Sequence, residues 1–97
     1  MYQFEAVEFI EHVGKADSDE NVLGVFYEEA DAVKAARVAR RAFLASGSKE
    51  YAWWVVRVQG ARLANFIADS RSDREFMVDL TTGALIEIDP VPAKRNR

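Results

Sequence analysis

Apolar and polar residues alternate with more than one period along this 97-residue chain. From Glu29 to Ser46 (EADAVKAARVARRAFLAS) the period is helical. At 100° per residue, Ala32, Val33, Ala35, Ala36, Ala39, Ala42, Phe43 and Leu44 share one wide arc. Lys34, Arg37, Val38 and Arg41 fall opposite. Alanine has the highest helix propensity. Glu28, Glu29 and Asp31 crowd the N-terminal end and Arg37, Arg40 and Arg41 lie toward the C-terminal end, as the helix dipole favours. Gly47 is placed to close the helix in a left-handed cap. So many alanines on the apolar arc imply a helix lying very close to what it covers, and a twisted sheet is the natural partner.

The flanking segments are short apolar runs bounded by turn signals. Val22 to Tyr27 (VLGVFY) and residues 51–59 (YAWWVVRVQ) read as strands. Residues 61–69 (ARLANFIAD) also read as a strand, although a short helix would group Leu63, Phe66 and Ile67. REFMVDL at 74–80 and ALIEID at 84–89 flank Thr81-Thr82-Gly83 as a hairpin, and Pro90 stops the second arm.

The N-terminal segment fits a helix from Phe4 to Val13, with Ala6, Val7, Phe9, Ile10 and Val13 on one side and Glu5, Glu8, Glu11 and His12 on the other. As a strand it needs a bulge at Ala6–Val7, though its aromatic and β-branched content suits one. The clean split selects the helix, and Asp17 to Asn21 then forms a polar loop.

The pattern therefore predicts an α+β domain over residues 1–90. One long helix (about 29–46), with a second N-terminal helix, packs on a mostly antiparallel sheet of four or five strands. The long helix joins the Val22 strand to the Trp strand, and a helical crossover permits those two to be parallel. Residues 91–97 are expected to be a flexible basic tail.

Two placements stand out. Arg40 falls inside the apolar arc, between Val33, Ala36, Phe43 and Leu44. Arginine is rarely buried without a partner, so it either snorkels to the arc's edge or meets an acid of the sheet or of another chain. The second placement is Trp53-Trp54. Neighbouring strand residues point to opposite faces. One face carries Tyr51, Trp53, Val55 and Arg57, and the other Ala52, Trp54, Val56 and Val58. Both are apolar, so both need cover, and one helix covers only one. Tyr51, Trp53, Val55 and Arg57 form the more amphipathic set, of the residue types enriched at binding hot spots. They are assigned to an interface, with Trp54 under the helix.

Composition narrows the function classes. Hydrophobic residues make up 49% and charged residues 30%, with six Phe, three Tyr and two Trp available for one core. The absence of cysteine excludes disulfides, thiolate catalysis and Cys-based zinc sites. No apolar run is long enough to span a membrane, and the N-terminal residues are acidic where a leader would be basic. The expected location is cytoplasmic. A net charge of −3 weighs against nucleic acid.

Candidate chemistry is sparse. His12 is the only imidazole, and Glu8 and His12 at i,i+4 are too few ligands for zinc. No serine lies in a nucleophile motif, and Ser46-Gly47-Ser48-Lys49 fits a helix cap better than a phosphate loop. The acids of the C-terminal meander read as strand-edge solubilisers. No catalytic residue, metal or cofactor is assigned. The expected function is a non-catalytic interaction module that forms a homodimer or docks a protein partner through its aromatic sheet face. The rivals are single-stranded nucleic acid stacked on that face, and a ligand or enzyme pocket between helix and sheet.

Overall fold

The computed structural model describes residues 2–61 and 63–88. The elements run β1 (Phe4–Glu11), β2 (Ser18–Phe26), α1 (Glu29–Ala45), β3 (Tyr51–Val58), β4 (Ala64–Asp69), β5 (Glu75–Val78) and β6 (Leu85–Glu87). The strands form one sheet in the order β2-β1-β3-β4-β5-β6. Every neighbouring pair is antiparallel. The class is α+β, with six strands where four or five were expected. The tail expected over 91–97 lies outside the described residues.

The N-terminal segment is a strand, not a helix. β1 lies between β2 and β3, hydrogen-bonded on both sides. Alternation sends Ala6 to the helix-facing side and Val7 to the other, and both are fully buried at the centre of the sheet, between β2 and β3. The break in alternation is absorbed by a register shift between Ala6 and Val7 against β2, where Leu23 is the additional residue. The acids that gave the segment its helical look have cross-strand partners instead. Glu5 accepts from Arg57 Nε at 2.8 Å, and Glu8 accepts from Trp54 Nε1 at 2.9 Å.

Two further expectations change with it. Asp17 to Asn21 is not wholly a loop, because β2 begins at Ser18 and pairs Ser18 with Glu11 and Asp19 with Ile10. An edge strand tolerates such charge well. β2 and β3 are not neighbours, since β1 separates them; each runs antiparallel to β1, so the two point the same way.

The helix ends as its sequence signals. Ser46 caps it, and Gly47 adopts φ +74°, with its N–H donating to Leu44 O at 3.3 Å. Its buried arc is narrower than the wheel suggests. Ala32, Ala36 and Arg40 are buried, while Ala42 and Leu44 are exposed. With no side chain beyond a methyl on Ala32 and Ala36, the helix settles onto Trp54, Val56, Phe66, Ala6, Ala52 and Ala68. Phe43 meets Trp54 edge-on at 5.5 Å. Gly24 serves the same close packing, because a Cβ there would sit 2.8 Å from the ring of Phe26.

The helix packs over β1, β2 and β3 and only touches β4. Among the described residues the β5–β6 end of this face has no helical roof. No helix among the described residues is long and apolar enough to cross a membrane.

Candidate functional site

Strand alternation places Tyr51, Trp53, Val55 and Arg57 on the face away from α1. The registers put Glu5, Val7, Phe9 and Glu11 of β1 beside them on one side, and Ile67 and Asp69 of β4 on the other. Phe76 of β5, opposite Ile67, extends the row. The centre of the face is thus apolar across four strands, and no element among the described residues lies over it.

The aromatic groups are locked together. Phe9 stacks on Trp53 at 5.1 Å with planes 10° apart, and Tyr51 leans on Trp53 at 5.5 Å. The Arg71 guanidinium lies 4.3 Å above the Tyr51 ring. Tyr51 Oη donates to Asp69 at 3.2 Å. Burial, then the neighbouring Asp69 charge, pushes that hydroxyl above its ordinary pKa. At the other end Arg57 also donates to Glu20 at 2.9 Å, and its two carboxylates hold the guanidinium more firmly protonated. The side chains are therefore preorganised, and the apolar centre is flanked by charge at both ends. Reading the first segment as a helix hid Phe9 from this group; its aromatic and β-branched content was the signal for a strand.

On the opposite face Arg40 is 4% exposed. Its Nε donates to Asp69 O at 3.1 Å and its Nη1 to Glu75 at 3.3 Å, and Nη2 reaches Ser72 O. Arg37, placed by the wheel on the solvent side, instead donates from Nε to Glu75 at 2.7 Å. Arg41 Nη2 stands 3.9 Å from the same carboxylate. Three guanidiniums thus converge on one buried acid. Glu75 shares the helix-facing side of β5 with Met77, so it draws the helical arginines across the uncovered end of the sheet. Sequence reading grouped Glu75 with the exposed meander acids.

His12 follows β1 directly. Its Nδ1 lies 2.5 Å from Glu50 and its Nε2 lies 2.7 Å from Asp19. Carboxylates on both ring nitrogens need both to donate, which only imidazolium can do. The Glu50 hydrogen bond, then that of Asp19, raises the pKa above 6.5. The two acids sit on opposite nitrogens, so the three groups do not converge on a common point as metal ligands would. Glu8, bound to Trp54, is not with them.

A raised folded pKa means the charged clasp contributes its full stability below pH 6.5 and loses it as pH climbs through the folded value. His12→Ala should therefore lower the melting temperature most at about pH 5.5, and the difference from wild type should shrink at alkaline pH. Thermal scans of both proteins across pH check this; a constant difference would show that His12 acts through packing rather than charge.

No group of three His, Asp or Glu side chains able to hold a metal ion occurs among the described residues. Ser46 Oγ donates to Phe43 O at 2.6 Å, so this hydroxyl serves the helix end. The arrangement can bind by apolar contact and by charge at its margins. Comparison with family models, with characterised proteins and with solved structures finds no match.

Proposed function

We propose that this protein is a non-catalytic interaction module that pairs with a second copy of itself through the sheet face bearing Tyr51, Trp53, Val55 and Arg57. One observation carries the reading: among the described residues, a six-stranded sheet has its single helix on one face, and the other face is apolar at its centre with no element over it. Six strands of three to nine residues, about 21 Å long on average and about 4.8 Å apart, present roughly 600 Å² of flat area. A standard interface buries about 800 Å² of accessible surface per partner, so the face is close to what a stable pair needs. Twofold pairing is the commonest closed assembly, and a flat face is readily self-complementary.

The rivals are less well supported. Bases can stack on such aromatics, but Glu5, Glu11, Glu20 and Asp69 around them outnumber Arg57 and Arg71, which opposes phosphate. Over β1, β3 and β4 the space between helix and sheet is filled by Trp54, Phe66 and Phe43, and the room that remains is an open groove beside β5 and β6 with no catalytic group assigned to it.

Sedimentation of wild type and Trp53→Arg at matched concentrations tests the proposal. Trp53 is half-buried on the face, so a cation there should cost a hot-spot share of the pairing energy, roughly thirtyfold in dimer affinity or more. A dimer that becomes a folded monomer supports the reading. A wild type that sediments as a monomer at all concentrations would overturn it.

A further inference from the structure

A second surface lies on the other side of the sheet, where α1 fails to cover β5 and β6. The helix passes over β1, β2 and β3, so the helix-facing side chains of the last two strands are left beside it rather than under it. Between them runs a groove of about 490 Å³ whose walls include Val33 of the helix, Met77 of β5 and Ile88 just after β6. At its margin β6 is the edge of the sheet among the described residues. Leu85 and Ile86 are 57% and 56% exposed on this edge. The Ile88 N–H donates inward to Glu75 O at 2.8 Å. By strand alternation the amides of Leu85 and Glu87 point outward, away from β5. An apolar edge with free outward donors is a template for another strand.

The charge beside the groove says what kind of strand. Lys34, Arg37 and Arg41 lie along its helical wall with Glu29. Arg37, Arg40 and Arg41 all approach the single carboxylate of Glu75. Lys34 and Arg41 are exposed cations on this wall, and among the described residues the only acid paired with either is Glu75, 3.9 Å from Arg41 and already bonded by Arg37 and Arg40. Arg41 is 62% exposed and 3.9 Å from Glu75, so its guanidinium is poised to take another carboxylate.

We propose that β6 and this groove form a docking site for an acidic, extended segment of a partner protein, which adds as a strand to the β6 edge, places apolar side chains in the groove and sets carboxylates against Lys34 and Arg41. Main-chain hydrogen bonds to the edge supply affinity, and alternate side chains supply the choice of partner. The basic end of the chain, Lys94, Arg95 and Arg97, repeats the sign of the wall. A second copy could offer its β2 edge with Asp19 and Glu20, but that pairing is head-to-tail and forms a ring or an open filament rather than a closed pair. The site is on the opposite side of the sheet from the pairing face and does not depend on it.

The probe is a fluorescein-labelled nine-residue peptide, Val-Thr-Glu-Thr-Val-Thr-Glu-Thr-Val, whose odd positions present valine and glutamate on one strand face, with lysine in place of glutamate in its control. Anisotropy titration with the full chain should show saturable binding of the glutamate peptide, and at least tenfold weaker binding of the lysine peptide. Arg41→Glu should weaken the glutamate peptide tenfold or more. Glu87→Pro, which removes an outward amide and spares the inward hydrogen bonds, should do the same. Trp53→Arg should leave binding unchanged. Equal affinity for the two peptides, no binding, or indifference to Arg41→Glu and Glu87→Pro would overturn the proposal. So would slow hydrogen exchange at Leu85 and Glu87 in the peptide-free protein. Protection independent of concentration would assign the edge to the chain's own tail, and protection that grows with concentration would assign it to a second copy.

Discussion

Trp54→Ala should lose roughly 3–5 kcal/mol of folding stability, the cost of deleting a large buried aromatic and leaving a cavity. Trp54 has no exposed surface and is among the largest fully buried side chains. It fills the space under α1, with Phe43 edge-on against it and Val56 and Ala52 beside it on the same strand face. The substitution does a second kind of harm. Glu8 loses the indole N–H that it accepts at 2.9 Å, and a half-buried carboxylate without its donor is costly. A domain of this size is stable by about 5–15 kcal/mol, so the variant should be marginal. Its melting temperature should fall by roughly 12 °C or more. Trp54→Phe keeps much of the volume and removes only the N–H, so it should fall between the variant and wild type. A Trp54→Ala protein with an unshifted melting temperature would contradict the burial of this side chain beneath the helix.

The second large effect is expected at Arg40. Arg40→Ala should cost about 3 kcal/mol, at the lower end of the range for breaking a buried ion pair. The lower end applies because Arg37 still contacts Glu75 at 2.7 Å after the loss. What remains unsatisfied is the backbone: Asp69 O and Ser72 O both accept from Arg40, which ties the β4–β5 connection to the helix. Arg41→Ala should cost only about 0–1 kcal/mol, because its guanidinium is mostly in water and its contact with Glu75 is long. Chemical denaturation of the two variants under one set of conditions makes the comparison. Equal midpoints would mean that the buried cluster around Glu75 adds nothing beyond a surface pair.

The two residues also show why the candidate sites were unequally legible. Trp53 and Trp54 needed only the alternation of a strand to be sent to opposite faces, a property of local geometry. Phe9, which stacks on Trp53, needed the register between β1 and β3, 44 residues apart in sequence. Glu75 needed the helix to be docked before its three arginines could be counted.

By itself the sequence determined the elements whose periodicity is strong and whose ends carry their own signals. The alanine-rich helix with Gly47 after it, the hairpin around Gly83 and the two-faced Trp strand belong to this group. Each is set by contacts among residues near in the chain. The tertiary structure alone decided the state of residues 4–11. Their acids at Glu5 and Glu8 imitate the polar side of a helix, and only Arg57 and Trp54 across the neighbouring strand make those positions acceptable in a sheet. It also decided that β1 would separate β2 from β3, and that α1 would cover one half of one face. Strand order and helix placement depend on pairings between distant segments. Their free energy comes from hydrogen bonds and burial that do not exist until the whole sheet has formed, so no local pattern records them.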